Sequence, residues 1–133
     1  MTLRTFAILA GALIGLAAVP ALAQSSKDWV DIKSAKELRA LYSNKTFKGK
    51  DYLDRPWIGH YRADGQGIMI SEAGRIPRSW EVKGDDQVCV KSFSSAPCYR
   101  FQRHKTKAGL YRVINVANDQ ITEISVEDGI PKF

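Results

Sequence analysis

Between Lys45 and Glu127 this chain never leaves enough room between strand-like runs for a helix to cross back over a sheet. About eight runs alternate apolar with polar residues or are rich in β-branched and aromatic ones. They are Lys45–Gly49, Trp57–Arg62, Gly67–Ser71, Ile76–Lys83, Val88–Phe93, Cys98–Arg103, Leu110–Val116 and Gln120–Glu127. Turn signals part them at Ala63-Asp64-Gly65, Glu72-Ala73-Gly74-Arg75, Gly84-Asp85-Asp86 and Ala117-Asn118-Asp119. Parallel neighbours need a crossover of about a dozen residues or more, so each run pairs antiparallel with the next. The expected fold is all-β with minor α: an antiparallel up-and-down meander of about eight strands, forming a barrel or a strongly curved sheet.

One helix precedes the strands. Ser34 with Glu37 three residues on has the form of a capping box. Leu38, Leu41 and Tyr42 then make one apolar stripe at helical spacing, and Asn44 is a stop signal. A single amphipathic helix before a sheet is expected to act as a lid or brace. The segment Asp28–Ile32 is expected to lie against the core through Trp29.

The first residues carry targeting rather than fold information. Met1-Thr2-Leu3-Arg4 is a short basic start, Phe6–Ala18 is an apolar run, and Ala21-Leu22-Ala23 is a small-residue cleavage site. The reading is a signal peptide over residues 1–23 and a single β-rich domain over residues 24–133, with no transmembrane segment after cleavage. The short, alanine-rich leader favours the bacterial periplasm, with secretion as the second choice. The formal net charge of +6 suits an anionic ligand, an acidic partner or an envelope surface. An exported chain is not expected to bind nucleic acid.

Cys89 and Cys98 are the two cysteines. If they stand opposite one another, the register centres on Phe93-Ser94 and Val88 faces Tyr99. Apolar residues then share one face and the sulfurs share the other. An oxidising compartment makes a structural disulfide the expected state. Closing a loop of about ten residues stabilises the fold by roughly 2.5–3 kcal/mol on the chain-entropy account.

Several short motifs come in an order that resembles an exported bacterial family. They are Thr46-Phe47-Lys48-Gly49-Lys50 after a short helix, Tyr61-Arg62-Ala63-Asp64-Gly65, Trp80 followed nine residues later by Cys89, Cys98-Tyr99, and Arg103-His104. Over residues 36–113 the chain resembles the domain-of-unknown-function family 995, whose members are lipocalin-like. Arg78 stands where that family tends to have glycine, and the glycine before the first cysteine is displaced to Gly84. The resemblance implies a small β-domain outside the cytoplasm and implies no chemistry.

An enzyme is not expected. His60 and His104 stand in no triad-like motif and are expected as exposed strand residues. The carboxylates Asp64, Asp85, Asp86, Glu127 and Asp128 fall where turns commonly use them. No CxxC, His-x-x-x-His or EF-hand pattern calls for a metal, and no cofactor is expected. The binding candidates are aromatic and basic: Trp57, Tyr61, Arg78, Trp80, Tyr99, Phe101 and Arg103. Arg78 shares strand parity with Trp80, and Arg103 shares it with Tyr99 and Phe101. Two inward guanidiniums over an aromatic floor would receive the head group of an anionic or amphipathic small molecule. The alternative is an envelope protein docking on a protein, peptidoglycan or anionic lipid. Its basic surface would be Lys45, Lys48 and Lys50, or Arg103, His104, Lys105 and Lys107. The oligomeric state is not legible.

Overall fold

The alternating runs do become strands, and they close on themselves. A computed structural model describes residues 27–132; the signal-peptide reading at residues 1–23 lies outside them. In chain order the elements are β1 (Trp29–Asp31), α1 (Ala35–Tyr42), β2 (Lys45–Lys50), β3 (Pro56–Tyr61), β4 (Gln66–Ser71), β5 (Gly74–Lys83), β6 (Gln87–Lys91), β7 (Cys98–His104), β8 (Leu110–Asn115) and β9 (Ile121–Asp128). From β2 to β9 each strand pairs antiparallel with its successor, and β9 returns to β2, with Phe47 opposite Val126. The result is an eight-stranded closed up-and-down barrel, lipocalin-like, with β1 as one extra strand.

The strand β1 departs from expectation, since three residues with no alternation give no strand signal. β6 covers β7 only at Tyr99 and Cys98. The rest of that edge would present unpaired backbone groups. β1 takes it, placing Trp29 opposite His104 and Val30 opposite Arg103. The Ile32 amide then donates to the Phe101 carbonyl at 2.9 Å. Trp29 packs edge-on against the His104 ring, and the Arg112 guanidinium lies 4.2 Å from its centroid.

The cysteine register is as the alternation requires. Val88 faces Tyr99, Cys89 faces Cys98, and the two sulfurs form a disulfide on the outer face. Pro97 keeps its carbonyl in use, accepting from the Val90 amide at 2.9 Å.

The short helix plugs one end. Ser34 caps it, its hydroxyl accepting from the Glu37 amide at 3.3 Å. Asn44 takes a left-handed conformation (φ 59°) just beyond it. Leu38, Leu41 and Tyr42 are buried and join Phe47, Tyr61, Val88, Val90, Phe101 and Ile124 in one core. Tyr42 is the hub of that plug, with ring centroids 4.7 Å from Phe47, 4.9 Å from Tyr61, 5.2 Å from Trp80 and 5.7 Å from Phe101.

Because the strands alternate in direction, the β3–β4, β5–β6 and β7–β8 turns share the helix end. The β2–β3, β4–β5, β6–β7 and β8–β9 connections ring the opposite, open end.

Candidate functional site

Inward parity places Phe47, Trp57, Tyr61, Met69, Arg78, Tyr99, Val113, Thr122 and Ile124 around one cavity of about 290 Å³. Tyr42 closes it from the helix side, and Lys50, Asp51, Tyr52 and Gln120 stand where the strands reach the open end. An eight-stranded barrel is just wide enough to be filled by side chains or to hold one small ligand. Here glycines tip the balance by letting rings lie against the wall. A β-carbon on Gly49 would stand 2.6 Å from the Trp57 indole, and one on Gly67 would stand 2.6 Å from the Tyr61 ring.

Arg78 is the charged group of this interior. It carries no ion pair with any carboxylate among the described residues, and its Nε is buried without a hydrogen-bond partner. Its neighbours are phenols. Burial pushes Tyr42 well above the ordinary tyrosine value, Tyr61 and Tyr99 add to the rise, and Arg78 pulls the other way. Burial likewise raises Tyr61 and Tyr99, again against the Arg78 charge, and Arg78 also hydrogen-bonds to Tyr61. The three hydroxyls therefore stay neutral, and the guanidinium charge is not cancelled by tyrosinate. Asp51 at the mouth is engaged elsewhere: it binds Arg55 Nε at 2.9 Å and accepts from the Leu53 and Arg55 amides.

An unpaired cation, hydroxyl donors and apolar walls form a receptor for an anion carried on an apolar body. No family model, curated protein or solved structure matches this chain. The site therefore stands on its own geometry.

Of the seven residues singled out by sequence, Trp57, Tyr61, Arg78 and Tyr99 line the cavity. Trp80 and Phe101 do not. Trp80 sits behind, its Nε1–H donating to the Arg62 carbonyl at 2.8 Å, and Phe101 is fully buried edge-on to Tyr42. Arg103 belongs to another place. It reaches Glu37 at 3.6 Å and lines an open groove of about 690 Å³ between α1 and strands β7 to β9. That groove shares no lining residue with the barrel cavity, so the expectation of two arginines meeting one head group is corrected. Same parity gives the same face but not the same height along the barrel axis. The groove is the larger space, yet its charges are already matched, since Lys45 also pairs with Asp128 at 2.7 Å.

Other expectations need correction too. His60 is not exposed: it is 9% accessible, on the outer face beside Thr46. The Thr46 hydroxyl donates to the Gly129 carbonyl at 2.7 Å, so its oxygen accepts from His60 Nδ1–H at 2.9 Å. This ties the segment after β9 to the barrel wall. His104 is half-buried, and its Nδ1 accepts from the Lys107 amide at 3.0 Å, bracing a turn. The lysine cluster is not a free basic patch either. Lys45 pairs with Asp128, Lys48 with Glu127 and Lys50 with Asp54.

Sequence reasoning missed Tyr42, Met69 and Thr122 as lining residues, and Gly49 and Gly67 as their enablers. The available signal was Tyr42 itself, a tyrosine on a helical stripe where leucine would have sealed the plug.

Proposed function

We propose that this protein is a non-enzymatic binding protein of the bacterial periplasm. Its barrel takes one small molecule with an anionic head and an apolar body. The observation that carries this reading is Arg78, a half-buried residue lining the cavity whose buried Nε has no hydrogen-bond partner and whose guanidinium pairs with no carboxylate among the described residues. Burying such a charge is costly unless something pairs with it. A carboxylate or sulfonate would accept from Arg78 and the flanking phenols, while Trp57, Met69, Val113 and Ile124 enclose the body. Ligand sites commonly span about 300–1,000 Å³, so a cavity of about 290 Å³ suits an aromatic or short-chain acid. The disulfide supports an oxidising compartment.

Native mass spectrometry of the periplasmic protein tests the proposal. The expected result is an extra mass that disappears on denaturation and belongs to an organic acid. A bare chain that also fails to take up an apolar sulfonate such as anilinonaphthalene sulfonate would overturn it.

A further inference from the structure

Five large apolar residues are highly exposed among the described residues: Tyr52 (85%), Leu53 (56%), Phe93 (85%), Val116 (40%) and Ile121 (55%). They come from distant parts of the chain, yet topology gathers them at one end. Tyr52 and Leu53 lie in the β2–β3 loop, Phe93 in the β6–β7 loop, Val116 in the β8–β9 loop, and Ile121 begins β9. All three loops ring the open end, around the mouth of the cavity. The helix end has none of these residues.

From this we infer that the open end docks on a lipid surface, with these side chains inserted at the interface and the cavity mouth facing the bilayer. Single exposed apolar residues are ordinary on protein surfaces, but a set confined to one end is not. Four are carried on three separate loops and the fifth at the start of β9, around a ring rather than on one continuous face. A fluid lipid phase accepts such a ring without a matched surface, and aromatic side chains favour the membrane interface. The charges at this end fit as well. Arg55 is engaged by Asp51 and Glu72, Arg100 by Asp119, and Lys50 by Asp54. Among the described residues Arg75 and Lys91 stand at the same end without an ion pair, a small positive excess that complements anionic lipid. Insertion of apolar tips is the main attraction, so the docking differs in kind from a salt-sensitive basic patch. It does not rest on the ligand reading, because it needs nothing inside the barrel.

Flotation with vesicles of phosphatidylcholine, alone or with added phosphatidylglycerol, tests the proposal on the disulfide-bonded protein. The parent floats with both and somewhat more with the anionic vesicles, and most of its binding survives about 0.5 M salt. The Tyr52→Ser/Phe93→Ser pair lowers partitioning by at least about tenfold. Both side chains are so exposed that this pair keeps the folded circular dichroism spectrum. Lys107→Ala, at the helix end, changes partitioning by less than about twofold. Arg78→Met floats like the parent, so the ligand reading and the docking can fail separately. Absence of flotation with either vesicle, equal flotation of the serine pair, or complete loss of binding in salt would each overturn the proposal. Dimers that the serine pair abolishes, with no vesicle binding, would reassign the rim to a second copy of the chain.

Discussion

Gly67 lies directly against the Tyr61 ring: a β-carbon there would stand 2.6 Å from Tyr61 Cδ1 and 3.0 Å from the His60 carbonyl. The ring edge and the backbone both limit relief. Gly67→Ala is therefore expected to cost about 1–3 kcal/mol by overpacking and to push the Tyr61 ring into the cavity. Denaturant unfolding measures the loss, and probe uptake should fall with it. A variant as stable as the parent would mean the wall yields freely.

Arg78→Met separates binding from folding. A charge-assisted hydrogen bond contributes about 1.5–3 kcal/mol, so affinity for an apolar sulfonate probe should fall at least about tenfold. The empty variant should be more stable than the parent by about 1 kcal/mol, because a buried unpaired Nε is removed. Arg103→Ala should change probe affinity by less than about twofold, since Arg103 pairs with Glu37 outside the cavity. Equal losses at both arginines, by fluorescence titration, would indicate diffuse attraction instead of one head-group site.

The disulfide spans the seam where β6 and β7 match at only two residue pairs. Cys89→Ala and Cys98→Ala should each cost roughly 2.5–3 kcal/mol, and the double variant no more than either. Chemical denaturation under non-reducing conditions checks this. Additive losses would show that the two sulfurs contribute separately. Val90 and Tyr99 line the cavity from either side of this seam, so reduction should also weaken probe binding.

Stability should fall on both sides of neutrality, for different reasons. Tyr42, Tyr61 and Tyr99 are raised above the ordinary value of 10.0, chiefly by burial. The unfolded chain releases these protons near that value while the folded chain keeps them. The contribution is thus full below pH 10.0 and is lost as pH rises through the folded values. His60 is lowered below 6.5 by burial first, then by Arg75 and Lys48. The unfolded chain gains that proton near pH 6.5 and the folded chain resists it, so stability declines as pH drops below that value. Urea midpoints across pH measure both limbs. His60→Gln should flatten the acid limb between about pH 5 and 7, and an unchanged slope would remove His60 as its source.

What short range can specify was legible before any tertiary contact was known. Alternation over five to eight residues set the strand faces, turn residues set the reversals, and the Cys89–Cys98 spacing set one register. Ser34, Leu38, Leu41 and Tyr42 likewise announced α1. Those signals act between neighbours in the chain, where sterics and local hydrogen bonds decide. The return of β9 to β2 was not legible, because closure depends on twist and stagger accumulated over eight strands. The same stagger sets height along the barrel axis. It therefore separated Arg78 from Arg103, moved Trp80 and Phe101 behind the cavity, and brought Tyr52, Phe93 and Val116 to one rim. β1 shows the point most simply: three residues with no strand pattern become a strand because β7 has an edge that must be paired.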